Sequence, residues 1–137
     1  MRKKILLTGP SGEVGFEVLN ELIRRKDQYQ ARVLSINAKT EGKIFQPFID
    51  EIEIISGDIR DPAVVNRAVQ GVDAVIHTAA IIPPLADENP TLASEVNVTG
   101  TRNIVEGIKS QQIPPKLLYT SSISVYGDRV KDPENNQ

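Results

Sequence analysis

Five short apolar runs alternate with segments of helical periodicity, and this alternation constrains the fold more than any other feature of the sequence. The runs that predict strands cover residues 5–8, 32–36, 52–55, 72–78 and 117–119. Between them, apolar residues recur three and four positions apart, which predicts helices over residues 14–23, 62–70 and 92–108. Residues 38–50 fit neither pattern and are expected to form a loop with a helical turn. Strands that alternate with helices predict an α/β fold with a parallel sheet and right-handed crossovers.

Composition excludes several classes of function. The chain has 137 residues, a formal net charge of −2 and no cysteine, and His77 is its single histidine. The length fits one domain of about 100–200 residues, and the interspersed charges argue against a nucleic-acid-binding face. Without cysteine, and with one histidine, disulfides, thiolate sites and multi-histidine metal sites are excluded. No apolar run approaches the roughly 18 residues of a membrane helix, so we expect no membrane span. Together with the preceding observations, this predicts a cytoplasmic protein with no metal and no nucleic-acid partner.

The glycine-rich segment after the first predicted strand predicts a dinucleotide-binding loop. Gly9, Gly12 and Gly15 are spaced three apart where the strand gives way to the first helix. Such a turn must be tight, must let the backbone approach a pyrophosphate and must pack helix on strand, and glycine meets each demand because it lacks a Cβ. The alternative is a purely structural loop, since three spaced glycines alone are weakly specific. The residues expected to contact the phosphates are Gly9, Ser11, Gly12, Glu13, Val14 and Gly15.

Four further segments follow this loop in an order typical of one family. They are residues 57–61 (GDIRD), 77–80 (HTAA), 97–101 (NVTGT) and 120–127 (TSSISVYG). With the glycine loop, they make the chain resemble the extended short-chain dehydrogenase/reductase family, which contains sugar-nucleotide epimerases, dehydratases and 3β-hydroxysteroid dehydrogenase-like enzymes. The match runs in order along essentially the whole chain and is specific jointly rather than motif by motif. The resemblance implies a Rossmann-type doubly wound parallel sheet that binds NAD or NADP.

The resemblance also implies roles for single residues outside the glycine loop. Asp58 would meet the adenine amino group, or would only cap a turn. Asn97 would hold structure and water near the active site, or would only anchor its helix. His77 is expected to be a packed strand histidine. The residues implied as further cofactor contacts are Asp58, Ile59, Ala79, Ala80 and Asn97.

The choice between NAD and NADP depends on the end of the second strand. An enzyme that reads NAD usually places an acidic residue about 20 residues past the glycine loop, where it binds the ribose 2′-hydroxyl. Here Ser35 and Asn37 are neutral, so Ser35 is expected to contact the ribose without that charge. Lys39 and Arg32 could meet a 2′-phosphate. Arg32 is expected to be exposed, and together these residues favour NADP over NAD.

Two residues near the fifth predicted strand could carry chemistry. Ser122 matches the family's catalytic hydroxyl, which hydrogen-bonds the substrate oxygen, or it only ends the strand; Ser121 and Ser124 are lesser candidates. Tyr126 does not fit the family's Tyr-x-x-x-Lys motif, because position 130 is Val130 and the two side chains must share a helix face. We therefore expect Tyr126 to belong to the loop.

These observations predict that residues 1–137 are the dinucleotide-binding half of a longer enzyme, truncated before the Tyr-x-x-x-Lys motif and the substrate-binding lobe. The expected activity is that of an NAD(P)-dependent epimerase/dehydratase or dehydrogenase, with hydride transfer at a hydroxyl-bearing carbon of a sugar-nucleotide-like substrate. The alternative is a non-catalytic NAD(P)-binding sensor or scaffold. We expect a homo-oligomer, and this chain alone is predicted to be inactive. An incomplete sheet would leave the fifth strand as an exposed edge, from which we expect self-association through residues 117–122 or poor solubility.

Overall fold

The computed structural model describes residues 1–127, except the side chains of residues 38–40. Within this part, the strands are β1 (Lys3–Thr8), β2 (Tyr29–Ser35), β3 (Ile52–Ser56), β4 (Ala74–His77) and β5 (Lys116–Tyr119). They form one parallel sheet in the spatial order β3-β2-β1-β4-β5. The predicted α/β fold is therefore confirmed. The strand order reverses between β1 and β4, where open sheets of this kind leave a crevice for ligands.

The helices connect these strands and depart in part from the sequence-based prediction. They are α1 (Glu13–Arg24), α2 (Ala38–Phe45), α3 (Pro62–Val69), α4 (Leu85–Glu88), α5 (Pro90–Ser94) and α6 (Thr101–Lys109), with a π-helix at Glu95–Gly100 and 3₁₀ turns at Gln46–Phe48 and Ile123–Tyr126. Residues 38–45 form a helix rather than a single turn, because Phe45 is fully buried and tertiary packing stabilises short helices. The predicted long helix is interrupted by the π-helix. No helix among the described residues is long and apolar enough to cross a bilayer.

Both faces of the central strands are covered, so consecutive residues of one strand enter different cores. Leu6 of β1 packs with Val65 of α3 and Ile104 of α6 on one face. Leu7 packs with Leu19 of α1 on the other face. All five side chains are fully buried. Each such burial stabilises the fold by about 1.5–3 kcal/mol, which makes β1 the rigid centre on which the loops at its carboxyl end are built.

The prediction that Arg32 is exposed was wrong. Arg32 lies in β2 and is only 7% exposed. Its guanidinium donates hydrogen bonds to the carbonyls of Ala68 at 2.8 Å and Gln70 at 2.7 Å, and its Nε lies 2.9 Å from the Glu53 carboxylate. The Arg32 guanidinium lowers the pKa of Glu53. Alternation along β2 did send this side chain to one face, but that face is covered at the end of α3, so the cation is paired inside the fold.

Strand β5 contrasts with these central strands. It pairs with β4, and along the described chain no strand lies on its other side. Leu117, Leu118 and Tyr119 are 40%, 56% and 54% exposed. The expected exposed edge is therefore present in the structure, while self-association through it stays a prediction.

Candidate functional site

A cleft of about 370 Å³ opens at the carboxyl ends of β1, β2 and β4. It lies at the point where the strand order reverses, the position that ligands prefer in open α/β sheets. Its lining consists of Thr8, Gly9, Pro10, Ser11, Gly12, Leu34, Ser35, Ile36, Glu41, Gly57, Ile59, Thr78, Ala79, Ala80, Ile81 and Val96. Seven of the residues predicted to contact a cofactor are among them, and the site thus brings together segments that are far apart in the sequence.

The three glycines of the loop are required for different reasons. A Cβ on Gly9, which has a φ of +69°, would lie 2.7 Å from the backbone nitrogen of Ala79. A Cβ on Gly15 would lie 1.8 Å from the Gly9 carbonyl oxygen. At Gly12 the nearest atom would be that same oxygen at an ordinary 3.5 Å, and its φ of −75° suits any residue. Packing therefore explains Gly9 and Gly15, whereas no contact among the described residues requires glycine at position 12.

Gly12 is also the residue from which helix α1 begins. It is the N-cap of α1 and provides no side chain to cap the helix. The first-turn N–H groups, which belong to Glu13, Val14 and Gly15, have no partner within a helix, and the helix dipole makes this end positive. Side chains at 13 and 14 are exposed, so their predicted contribution is through the backbone. A missing Cβ beside a row of N–H groups fits an approaching phosphate.

A carboxylate that the sequence reasoning missed lies between the glycine loop and the end of β2. Glu41, in α2, accepts a hydrogen bond from the Ser11 hydroxyl at 2.6 Å and another from the Ser35 hydroxyl. All three line the cleft. The Lys39 side chain lies outside the described residues. Glu41 is the only acidic residue among residues 28–49, and this would have been the signal had a helix been predicted there.

The Asp58 carboxylate is hydrogen-bonded to Arg60 and does not line the cleft. Its carboxylate accepts from the Arg60 guanidinium at 2.6 Å and from the Arg60 backbone N–H at 2.8 Å. Arg60 lowers the pKa of Asp58 and also donates to Glu95 at 2.7 Å. Gly57 and Ile59, on either side of Asp58, line the cleft, but Asp58 does not. The structure thus bears out the turn-capping interpretation, and an adenine contact stays a prediction.

Two asparagines fix the loops that border the cleft. The Asn97 amide donates to the Ile81 carbonyl at 2.8 Å and accepts from the Ile81 N–H at 2.7 Å. Asn103, which the sequence reasoning did not single out, donates to the carbonyls of Ile59 and Arg60 at 3.1 and 2.9 Å. Asn97 therefore anchors the loop after β4, and its predicted cofactor contact is not part of the cleft lining.

His77 is buried and fully hydrogen-bonded, as predicted for a packed strand histidine. Its Nδ1 lies 2.6 Å from the Thr8 hydroxyl and its Nε2 lies 2.9 Å from the Thr101 hydroxyl. Burial lowers the pKa of His77 to about 4, so the ring is neutral at pH 7. The Thr8 hydroxyl in turn accepts from the Ala79 N–H at 3.2 Å. The imidazole thus helps to hold the backbone of a lining residue in place.

Ser122 lies outside the cleft, in the exposed segment that follows β5. It is the N-cap of the 3₁₀ turn Ile123–Tyr126, and its hydroxyl accepts from the Ser124 N–H at 3.1 Å and donates to the Ser124 hydroxyl at 3.0 Å. Tyr126 is 87% exposed and lies in that turn, as expected for a loop residue. The strand-ending interpretation of Ser122 is therefore visible in the structure, and its catalytic role stays a prediction.

Comparison with known proteins identifies the family of this chain. The model of the 3-beta hydroxysteroid dehydrogenase/isomerase family matches residues 6–136. The chain belongs to this family. The resemblance predicted from the five motifs is thereby confirmed, and these are motifs of a short-chain dehydrogenase/reductase.

Two curated relatives match most of this chain. Among curated proteins, the chain is 32% identical over 125 residues to an uncharacterized membrane protein of Methanocaldococcus jannaschii, covering 90% of this chain and 37% of that protein. It is 28% identical over 131 residues to the D-erythronate dehydrogenase of Cupriavidus necator, covering 92% of this chain and 40% of that enzyme.

Two solved structures are similar to this chain over most of its length. Pen from Bacillus thuringiensis superposes with a TM-score of 0.81 at 27% identity, over 91% of this chain and 39% of that one. A short-chain dehydrogenase/reductase superfamily protein from Agrobacterium tumefaciens, with bound NAD, superposes with a TM-score of 0.70 at 27% identity, over 90% of this chain and 34% of that one. This chain spans between 34% and 40% of the length of these four proteins.

Proposed function

We propose that residues 1–137 form the dinucleotide-binding domain of a nicotinamide-dependent dehydrogenase or epimerase/dehydratase. The observation that carries this proposal is the cleft at the strand-order reversal, bordered by a glycine that packing among the described residues does not require. Gly12, beside the first N–H groups of α1, fits a pyrophosphate better than any structural need. The NAD bound to the Agrobacterium relative supports a nicotinamide dinucleotide as the ligand.

The residues of the cleft suit the parts of such a cofactor. The glycine loop and the start of α1 would hold the pyrophosphate, and the end of β2 with Ser35 would hold the adenosine ribose. Ile59, beside Asp58, would contact the adenine. The backbone at Ala79 and Ala80, held through the Thr8 hydroxyl, would border the nicotinamide ribose. When bound, the nicotinamide accepts and returns a hydride at its C4.

The chemistry would take place beyond the cleft, at the side of β5. The Ser122 hydroxyl, which follows β5, would hydrogen-bond the reacting oxygen of a hydroxyl-bearing carbon once it exchanges Ser124 for substrate. Tyr126 does not have a lysine four residues later, so the tyrosine and lysine of the family motif would lie outside residues 1–137. A sugar nucleotide is the leading substrate class, and the D-erythronate dehydrogenase relative supports a dehydrogenase reaction.

The experiment uses the full-length protein with NAD or NADP and a panel of sugar nucleotides and polyhydroxy acids, and follows the absorbance of reduced nicotinamide. We expect dinucleotide binding and turnover of at least one substrate. Ser122→Ala should lower kcat by about 10²-fold or more, because a positioned hydrogen-bond donor to the reacting oxygen contributes that much. Ser94→Ala is the matched control: Ser94 is exposed on α5 and does not line the cleft, so this variant should retain most of the activity.

A second candidate function is a non-catalytic NAD(P)-binding sensor. It is favoured by one observation, the absence of a Tyr-x-x-x-Lys spacing at Tyr126. Tight dinucleotide binding without turnover on the whole substrate panel would favour the sensor. Absence of any dinucleotide binding would contradict both functions.

A further inference from the structure

Glu41 occupies a position at which one carboxylate could decide which dinucleotide the cleft accepts. We infer that Glu41 selects NAD over NADP by accepting hydrogen bonds from the hydroxyls of the adenosine ribose. This inference rests on the proposed function of the cleft, and it reverses the preference for NADP that the sequence alone favours.

The Glu41 carboxylate lies between two parts of the cleft that are proposed to hold different parts of the cofactor. One oxygen of Glu41 is 2.6 Å from the Ser11 hydroxyl of the glycine loop. The other is hydrogen-bonded to the hydroxyl of Ser35, the last residue of β2. The carboxylate therefore bridges the loop proposed to hold the pyrophosphate and the strand end proposed to hold the ribose. Its two oxygens have about four acceptor sites in all, so two serine hydroxyls leave room for further donors.

NAD and NADP differ in the group that they would present to this carboxylate. A ribose 2′-hydroxyl can donate a hydrogen bond to a carboxylate. A 2′-phosphate offers oxygens that mainly accept and a charge of about −1.5 to −2, so a neighbouring carboxylate repels it. Glu41 is partly buried, where the effective dielectric is lower than in bulk water, so the repulsion is stronger than between fully solvated charges.

An arginine or lysine near the ribose would accommodate the 2′-phosphate of NADP. Among the described residues that line the cleft there is no lysine or arginine. Of the two cations considered for that role, Arg32 is buried and bonded to the carbonyls of Ala68 and Gln70, and the Lys39 side chain lies outside the described residues. Arg60 is paired with Asp58 and Glu95. The charge that the described lining side chains present is that of Glu41.

Sequence spacing hides this residue for a physical reason. The acidic residue of NAD-dependent enzymes is sought at the end of the second strand, and Ser35 stands there. Helix α2 returns toward the glycine loop and delivers a carboxylate to the neighbouring space from six residues later. A neutral strand end and an acidic side chain from the following helix together offer the ribose hydroxyls acceptor oxygens and one negative charge, because the Ser35 hydroxyl already donates to Glu41.

The test measures dissociation constants of NAD and NADP by calorimetry on the full-length protein, the Glu41→Gln variant and the Glu17→Gln variant. We expect the unmodified protein to bind NAD at least about tenfold more tightly than NADP. Glu41→Gln keeps the shape of the side chain and should bring the two affinities to within about threefold, mainly by tightening NADP. Glu17 is exposed on α1 and does not line the cleft, so Glu17→Gln removes the same charge and should leave the preference unchanged.

Each other outcome has a defined meaning. If the unmodified protein binds both dinucleotides equally or prefers NADP, or if Glu41→Gln keeps the original preference, the inference is overturned while the proposed function stands. If neither dinucleotide binds, the proposed function fails first. Should Glu41→Gln not fold, the unmodified protein still decides the matter with ADP-ribose and 2′-phospho-ADP-ribose, which isolate the adenosine end. Equal binding of these two compounds would refute the role of Glu41.

Discussion

The central strands β1 and β2 and the edge strand β5 differ in how completely the described residues cover them. We call the region around β1 and β2 the covered side and the region around β5 the open side. Around β1 and β2, helices pack on both faces, and Leu6, Leu7 and Val33 are fully buried. At β5, Leu118 is 56% exposed and one edge of the strand faces no other described strand. The cleft lies on the covered side, whereas Ser122 follows the open strand. The proposed nucleotide site and the proposed catalytic serine therefore lie in separate parts of the structure, so variants should affect one of them without the other.

The largest expected effect breaks the covered side itself. Gly15→Ala would place a Cβ 1.8 Å from the Gly9 carbonyl oxygen, and that backbone cannot move because Gly9 already lies against Ala79. We expect the free energy of unfolding to fall by about 4 kcal/mol or more, or folding to fail. Urea denaturation of the full-length protein measures it.

Gly42→Ala is the matched control for this change. Gly42 lies in α2, and a Cβ there would meet nothing within 4 Å. We expect it to be neutral or to stabilise by up to about 1 kcal/mol, since alanine favours a helix over glycine. Equal effects of the two substitutions would contradict the packing argument at position 15.

The next effect tests the residue that joins the two sides. His77 of β4 contacts Thr8 of β1, stacks on Tyr119 of β5 and has its pKa lowered to about 4 by burial, from an ordinary 6.5. An unfolded chain therefore binds a proton below pH 6.5 that the folded chain refuses until about pH 4. Stability should be fully present above pH 6.5 and fall as the pH drops toward 4, by about 3 kcal/mol in all.

Urea titrations between pH 7 and pH 4 check this, with His77→Gln for comparison. The variant has no imidazole to titrate, so the loss within that window should be smaller by the same amount. The lowered pKa values of Asp58 and Glu53 act in a lower window, because their stabilisation is lost only as the pH falls below the ordinary carboxyl range. Parallel pH profiles for the two proteins would mean that His77 is not held neutral by the fold.

A smaller effect separates binding from stability on the covered side. At Gly12 an added Cβ meets the protein at only an ordinary 3.5 Å, but it would occupy the space proposed for the pyrophosphate. We expect Gly12→Ala to weaken NAD binding by about tenfold, or 1.4 kcal/mol, while the unfolding midpoint stays within the error of the measurement. Calorimetry and thermal unfolding of the same sample measure both quantities. A loss of stability with unchanged affinity would show that Gly12 serves packing after all.

Some features of the glycine loop and of β2 could be predicted from the sequence, and others could not. The glycine spacing predicted the loop. It did not predict that Gly15 is required by its contact with Gly9, or that no contact among the described residues requires Gly12, because both depend on three-dimensional contacts. Arg32 shows a related limit. Alternation tells which residues of a strand share a face, but it does not tell whether that face is covered, and here the end of α3 covers it.

The candidate site was predicted best where segments follow strand ends. Ser35, Ile59, Ala79 and Ala80 all line the cleft, since the carboxyl ends of parallel strands meet at one edge of the sheet. Glu41 was missed because it reaches the cleft by the packing of α2 rather than from a strand end. The mutual bonds of side chains, such as the pair that holds Asp58 to Arg60, are likewise set by geometry that spacing does not contain.

The smallest expected effect concerns the open side. Unpaired N–H and C=O groups on an apolar edge invite pairing with another chain, so the 137-residue chain should self-associate through β5. Leu118→Lys places a charge on that edge and should weaken self-association at least about threefold, because lysine on an edge strand disfavours such pairing. Ile113→Lys is the control: Ile113 is 85% exposed but precedes β5, so the same charge there should change association less. Sedimentation equilibrium of the three proteins decides this, and a stable monomer of the unmodified chain at high concentration would remove the argument from the exposed edge.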